Sequence, residues 1–347
     1  MHHLHRLLWY ADVGHWLSAI ADGSVKSHFG RDPMRRKANF LIVALAALSL
    51  AASNAKWSPV QIDGDTATFV FGATDADMAK LDSHPELKSL KIGGDPIDII
   101  GPVPPYAITD AGFAHVAHCT KLQRLMIDAE YPLNVSDGAY KALEPLGDLR
   151  VAELCSLSIT DAATAHLAGL TNLQELWLDS DPNLGDGTMR TAGKLSNLRV
   201  LRCYQAAITD AGIEQIKQLT KLEDLQLGRS DVGDRAMATI ATFTRLKTLD
   251  LQHTRITDAG LSRLSRLKLN WLYLDGTKIT DDGLKAIENM TDMQYLFLAD
   301  TPIDDAGLAH LAKFKHLQIL AVGGTRVTPS GLRRLAALGV KPPVVER

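Results

Sequence analysis

The sequence predicts an α/β solenoid: a horseshoe of about ten short units, with a parallel sheet lining the concave side and short helices on the convex side. Three observations carry this reading. A phrase recurs, as Ile208-Thr209-Asp210-Ala211-Gly212, Ile256-Thr257-Asp258-Ala259-Gly260, Ile279-Thr280-Asp281-Asp282-Gly283 and Ile303-Asp304-Asp305-Ala306-Gly307. From Asp210 through Asp234, Asp258 and Asp281 to Asp305 the aspartates keep a period of 24, 24, 23 and 24 residues. Each phrase leads into leucines at helical spacing and then an L-x-x-L-x-L run, the pattern of one strand plus one helical turn per unit. No unit of this size buries its own apolar side, so stability must come from stacking.

Within the unit Leu246 to Gly260, Leu249 and Leu251 alternate with Thr248, Asp250 and Gln252. Strand side chains alternate between faces, so the leucines point inward and the other three form the concave wall. Thr254 follows the strand, with Ser230, Thr277, Thr301 and Thr325 at the same place. An inward hydroxyl there can bond backbone groups that would otherwise be buried unpaired. Thr257 or Asp258 can cap the helix, and Leu261, Leu264 and Leu267 form its core face.

Residues 1–33 lie outside the pattern and read as a spurious or disordered extension, with Met34 the better start. Arg35-Arg36-Lys37 precede an apolar run from Phe40 to Ala52 that ends in small residues at Ser53-Asn54-Ala55, so 34–55 reads as a cleavable export signal. The run is shorter than the roughly 20 apolar residues of a membrane span. Alternation around Asp63-Gly64 predicts a capping hairpin within 56–72. The array then occupies 73–340. Its first unit, Asp75 to Ile92, is followed by an insertion, Gly93 to Ala107, rich in proline and a second-rank candidate for ligand contact. Anchors continue at Asp110, Asp137, Asp161, Asp186 and onward to Asp305. The last unit decays at Lys341-Pro342-Pro343-Val344, a tail whose prolines blunt the open sheet edge.

The chain holds 37 Lys/Arg against 40 Asp/Glu, of which six and three fall in 1–55, leaving 31 against 37 beyond the signal. That balance excludes nucleic acid as a partner, since phosphate binding needs a basic face. Cys155 and Cys203 stand two units apart, roughly 10 Å at about 4.8 Å per strand step, beyond disulfide reach. Cys119 sits at the buried end of a helix.

The strongest functional signal is where the aromatics fall. Trp177, Tyr204, Trp271, Tyr273, Tyr295 and Phe297 all take outward strand positions, with Asp179, Asp250 and Asp275 among them. Trp271 should neighbour Tyr295, and Tyr273 should neighbour Phe297. An aromatic patch rimmed by polar groups marks an interaction site, because Trp and Tyr dominate hot spots. Other motifs carry less. The run Asp179-Ser180-Asp181-Pro182-Asn183 has Leu184 where a calcium loop needs Gly, and reads as a polar bulge. His2, His3 and His5 belong to the extension. His115, His118, His166 and His310 fall on convex helices in different repeats and read as solvated surface, so no metal or cofactor is expected. H-E-x-x-H, G-x-S-x-G and phosphate-binding glycine loops are absent, which gives an enzyme no residues to use.

The I-T-D-A-G-L-x-x-L units resemble leucine-rich repeats of the ribonuclease-inhibitor and F-box type, and most closely secreted arrays abundant in planctomycete bacteria. The likeness spans roughly Asp75 to Gly339. Taken with the export signal, the aromatic wall and the absent catalytic motifs, it points to an exported, non-enzymatic module that binds a protein or peptide on its concave face, in the periplasm or at the cell surface, with a monomer as the default assembly. A carbohydrate ligand on the same aromatics is the alternative. An F-box-like adaptor in ubiquitin ligation is a third reading, against which stand the missing F-box helices and the helix-end Cys, present only at Cys119.

Overall fold

Alternating apolar residues produce strands only two to five residues long, and the sheet they form is held in strictly sequential order. The computed structural model describes residues 58–70, 72–93, 106–128, 133–155, 158–179, 181–340 and 344–345. The chain divides after Trp57, and all described residues belong to the second unit. The export segment 34–55, the N-terminal histidines and 94–105 of the insertion lie outside them.

Strands β1 (Val60–Asp63) and β2 (Thr66–Phe69) form an antiparallel hairpin whose turn carries Gly64 at φ +58°. Strand β2 then pairs in parallel with β3 (Ser89–Ile92), placing buried Ala67 and Phe69 beside Leu90 and Ile92. From there every pairing is parallel. The strands are β4 (Arg124–Asp128), β5 (Val151–Cys155), β6 (Glu175–Trp177), β7 (Val200–Arg202), β8 (Asp224–Gln226), β9 (Thr248–Asp250), β10 (Trp271–Tyr273), β11 (Tyr295–Phe297), β12 (Ile319–Ala321) and β13 (Val344–Val345). Leu225, Leu249, Leu272, Leu296 and Leu320 lie in register across β8 to β12, buried as a continuous ladder. Ten strands, β3 to β12, each follow one aspartate anchor. Beyond the C-terminal prolines the sheet does not stop, because Val344 and Val345 pair with Leu320 and Ala321.

Strands β7 to β12 exit through the same turn. Gln205, Arg229, His253, Gly276, Asp300 and Gly324 all sit at positive φ. The following hydroxyl closes the turn: Thr254, Thr277, Thr301 and Thr325 donate to the carbonyls of Leu251, Leu274, Leu298 and Val322 at 2.6 Å. Ser230, at the same place, is buried without such a bond.

The helix starts divide the labour within the Thr-Asp pair. Thr257 caps its own helix, accepting from Ala259 N, while Asp258 reaches forward to the next unit and accepts from Thr280 N and Oγ1 at 2.8 and 2.6 Å. The arrangement repeats: Asp75 on Thr109, Asp110 on Ser136, Asp137 on Thr160, Asp186 on Thr209, Asp234 on Thr257 and Asp305 on Thr328. The glycine of the phrase makes room for it, since a Cβ at Gly260 would overlap the Asp234 carboxylate. Where Gly233 replaces the threonine, Asp210 keeps the backbone bond at 2.7 Å but the cap is lost, and the helix begins late, at Met237.

Candidate binding face on the concave wall

The outward row nearest the strand ends reads Glu153, Trp177, Arg202, Gln226, Asp250, Tyr273, Phe297 and Ala321, each in register with the next. Its companion row carries Trp271 beside Tyr295. Parallel strands about 4.8 Å apart bring in-register rings into face-to-face contact. Trp271 stacks on Tyr295 with centroids 3.6 Å apart and planes 16° apart, and Tyr273 on Phe297 at 4.4 Å and 7°. Trp271 and Tyr273 lie 6.3 Å apart along their strand, which joins the two stacks into one cluster. Its outer rim holds a further bond, from Tyr295 Oη to Gln318 at 2.6 Å.

Two of the nine expected contact residues are not open to a ligand. Phe297 is 7% exposed, covered by Tyr273 rather than sunk among the leucines, and Asp250 is 4% exposed. Stacking that gathers the aromatics also hides Phe297, the second ring of the Tyr273 pair, while Tyr295 stays partly open. Burial pushes the Asp250 carboxyl up to about 7, despite bonds from Gln252 N and Nε2, both at 2.9 Å. Asp275 and Asp179 raise it further. These two carboxylates hold backbone: Asp275 accepts from Ala299 N at 2.7 Å and Asp179 from Tyr204 N at 3.1 Å. Burial raises Asp179, which the Tyr204 bond offsets in part. Tyr273 is raised by burial as well.

The N-terminal half of the wall is built differently. Arg202 lies over the Trp177 ring, 4.0 Å from its centroid, and binds Asp224 at 2.7 Å with both side chains mostly shielded from solvent. Arg229 donates from Nε to Tyr204 Oη at 2.6 Å. Reading for aromatics and acids alone passed over Arg202, Asp224 and Arg229. The register places Arg202 beside Trp177 and Asp224 beside Val200, whereas Arg229 lies in the turn after β8.

Comparison with known proteins concerns the fold. Residues 244–265 match the family model for a leucine-rich repeat. An internalin from Listeria monocytogenes superposes with a TM-score of 0.56 at 19% identity, covering 81% of this chain and 79% of its own. The fold is a leucine-rich repeat solenoid. A plant peptide hormone receptor, RGFR1, in complex with RGF2, matches at a TM-score of 0.49 and 13% identity over 84% of this chain and 52% of the receptor. A leucine-rich repeat protein of Leptospira interrogans matches at 0.40 and 14%, over 81% and 89%. No curated protein matches the chain.

On the convex side of the leucine-rich repeats, the four histidines are paired rather than simply solvated. His166 lies 2.7 Å from Glu144 and His310 3.5 Å from Glu288. His115 and His118 belong to one repeat, not two, and both meet Asp82 of the repeat before. No disulfide joins Cys119, Cys155 or Cys203. Burial pushes Cys119 up to about 11, so it is a protonated, apolar filler. No helix of the described residues is long and apolar enough to cross a membrane.

Proposed function

We propose that the chain is an exported, non-catalytic binding module that engages a protein or peptide on the concave wall, centred on Trp271, Tyr273 and Tyr295. One observation carries the reading: these three rings remain half-exposed while clustered on adjacent strands. Rigid aromatic area of this kind gives contact at low entropic cost and suits a partner that buries it. Trp177 with Arg202, and Tyr204 with Arg229, lie to the N-terminal side of the cluster along the same wall and supply polar specificity. Stacking along the sheet turns ring edges toward solvent and ring faces toward each other, which favours a protein or peptide over a sugar, because sugars pack on open faces.

The test is a peptide library selected on the wild type. Clones enriched there should lose about tenfold or more in affinity for a Trp271→Ala/Tyr295→Ala double variant and keep full affinity for Lys285→Ala on the convex side. Equal affinity for all three sinks the concave site. A glycan array that lights up for the wild type and goes dark for the double variant would move the ligand class to carbohydrate. Export rests on residues 34–55 and is tested by N-terminal sequencing of the mature protein, with Lys56 the expected first residue. A retained apolar run would instead return the intracellular adaptor reading.

A further inference from the structure

The histidine–carboxylate pairs of the convex side provide their own internal comparison. Five residues past Asp110, Asp161 and Asp305 stand His115, His166 and His310, and each meets the acid of the preceding repeat: Asp82, Glu144 and Glu288. Eight residues past the same aspartates stand His118, Gly169 and Lys313. A two-membered pair therefore satisfies the packing in the repeat of His166, and a lysine, 2.9 Å from Glu288, completes an ion pair in that of His310. Only in the second repeat does a second imidazole take the place.

Local geometry aims both rings at one point. His115 and His118 lie on the 3₁₀ segment Ala114–His118, where residues three apart eclipse one another. Asp82 comes from the facing 3₁₀ segment, Ala79–Ser83. His115 Nδ1 is 2.7 Å from Asp82 Oδ1, and His118 Nδ1 contacts the same oxygen. The three ligand atoms lie within 4.8 Å of one another. His118 and Asp82 are open enough to solvent for an ion to enter.

We propose that Asp82, His115 and His118 form a binding site for a divalent transition-metal ion of the zinc class. Two imidazole nitrogens and one carboxylate oxygen suit Zn²⁺ and Co²⁺ and not Ca²⁺ or Mg²⁺, which take all-oxygen sets. Water completes the coordination. The ion joins the first repeat to the second across a sequence separation of 33 residues, against 22 for Glu144 and His166, because the proline-rich insertion intervenes. Closing a connection of that length is where a clamp stabilises most.

Co²⁺ titration of the full chain, read by visible absorption, tests the site, with Zn²⁺ competition and thermal melting beside it. We expect one Co²⁺ to be bound and displaced by Zn²⁺, and Zn²⁺ to raise the melting temperature by about 2–5 °C. His118→Lys keeps the ion pair with Asp82, as Lys313 does with Glu288, and removes a ligand. It should fold normally yet lose about tenfold or more of the affinity, as should Asp82→Asn. Replacing His2, His3 and His5 with glutamine should leave this binding unchanged. Undiminished binding in His118→Lys, or binding abolished by the N-terminal replacements alone, overturns the assignment. So does a chain that binds no Co²⁺.

Discussion

Two regions of the same solenoid use aspartate in opposite ways. At the helix starts, Asp75, Asp110, Asp161 and Asp305 accept hydrogen bonds from the next repeat and are held below the usual carboxylate range. For Asp75 and Asp305 the backbone N–H of Thr109 and Thr328 is the main cause, and for Asp110 the Ser136 hydroxyl. Burial opposes the shift at Asp161 and is outweighed by Thr188 and Gly185. On the concave wall, Asp250 is raised because burial dominates and its neighbours are acidic. The first group repeats along the chain with the same geometry. The second belongs to a row in which almost every strand presents a different residue. Repetition marks what holds the repeats together, and variation marks the surface left for a partner.

The comparison breaks most sharply at Asp234. Its carboxylate accepts from Thr257 N and Oγ1 at 2.7 and 2.6 Å in the middle of the array, with no free end nearby. Asp234→Ala removes both charge-assisted bonds and should cost about 3 kcal/mol by equilibrium denaturation. Trp271→Ala, which removes a half-exposed ring from a stack, should cost about 1–2 kcal/mol. If the tryptophan proves the more costly loss, the aromatic cluster is scaffold, and the argument for a binding surface fails with it.

The second difference is one of sign with pH. A carboxyl lowered in the folded state contributes stability above its unfolded value and loses it as pH falls, so the helix-start aspartates weaken the fold below about pH 4. A carboxyl raised to about 7 acts the other way: its contribution is complete below about pH 4 and is lost as pH rises through 7. Asp250→Asn copies the protonated form. It should match the wild type near pH 4 and exceed it by about 2 kcal/mol at pH 8. Equal stability at both pH values would show that Asp250 ionises in the fold at the ordinary carboxylate pH.

How much of this was legible in the sequence follows the same division. Period, inward leucines, strand positions and the Trp271–Tyr295 and Tyr273–Phe297 neighbours could be read because each depends on one repeat and a fixed offset to the next. Burial on the concave wall could not, since Phe297 is covered by Tyr273 of the repeat before it, and Asp250 stands in register between Gln226 and Tyr273 of the two adjacent strands. The forward reach of each aspartate also escaped notice. Asp258 was a possible cap for its own helix, and its true partner, Thr280, lies 22 residues on. The pairing of His115 with Asp82 spans 33 and crosses the insertion, where the period gives no guide.

The smallest predicted effect concerns the one link that breaks the rule of its own region. Asp281 should accept from a hydroxyl, as Asp258 does from Thr280, but the position is held by Asp304. Burial and the facing Asp304 carboxylate raise Asp281, against the trend of its row. Asp304 still caps its helix, accepting from Ala306 N at 2.7 Å, and donates its backbone N–H to Asp281 at 3.1 Å. A threonine there would keep the cap, as Thr280 does for Asp282 N, and add the missing donor. The extended backbone of Asp304, φ −129° and ψ −168°, is close to that of Thr257 and accommodates a β-branched residue. Asp304→Thr should therefore stabilise the chain by about 1 kcal/mol at pH 7, a figure limited by solvent screening of a partly exposed pair. The gain should shrink toward pH 3.5, where protonation relieves the repulsion and supplies a donor within the wild-type pair itself. A gain that stays constant across that range would assign the benefit to threonine's cap alone, and leave the two carboxylates without energetic consequence.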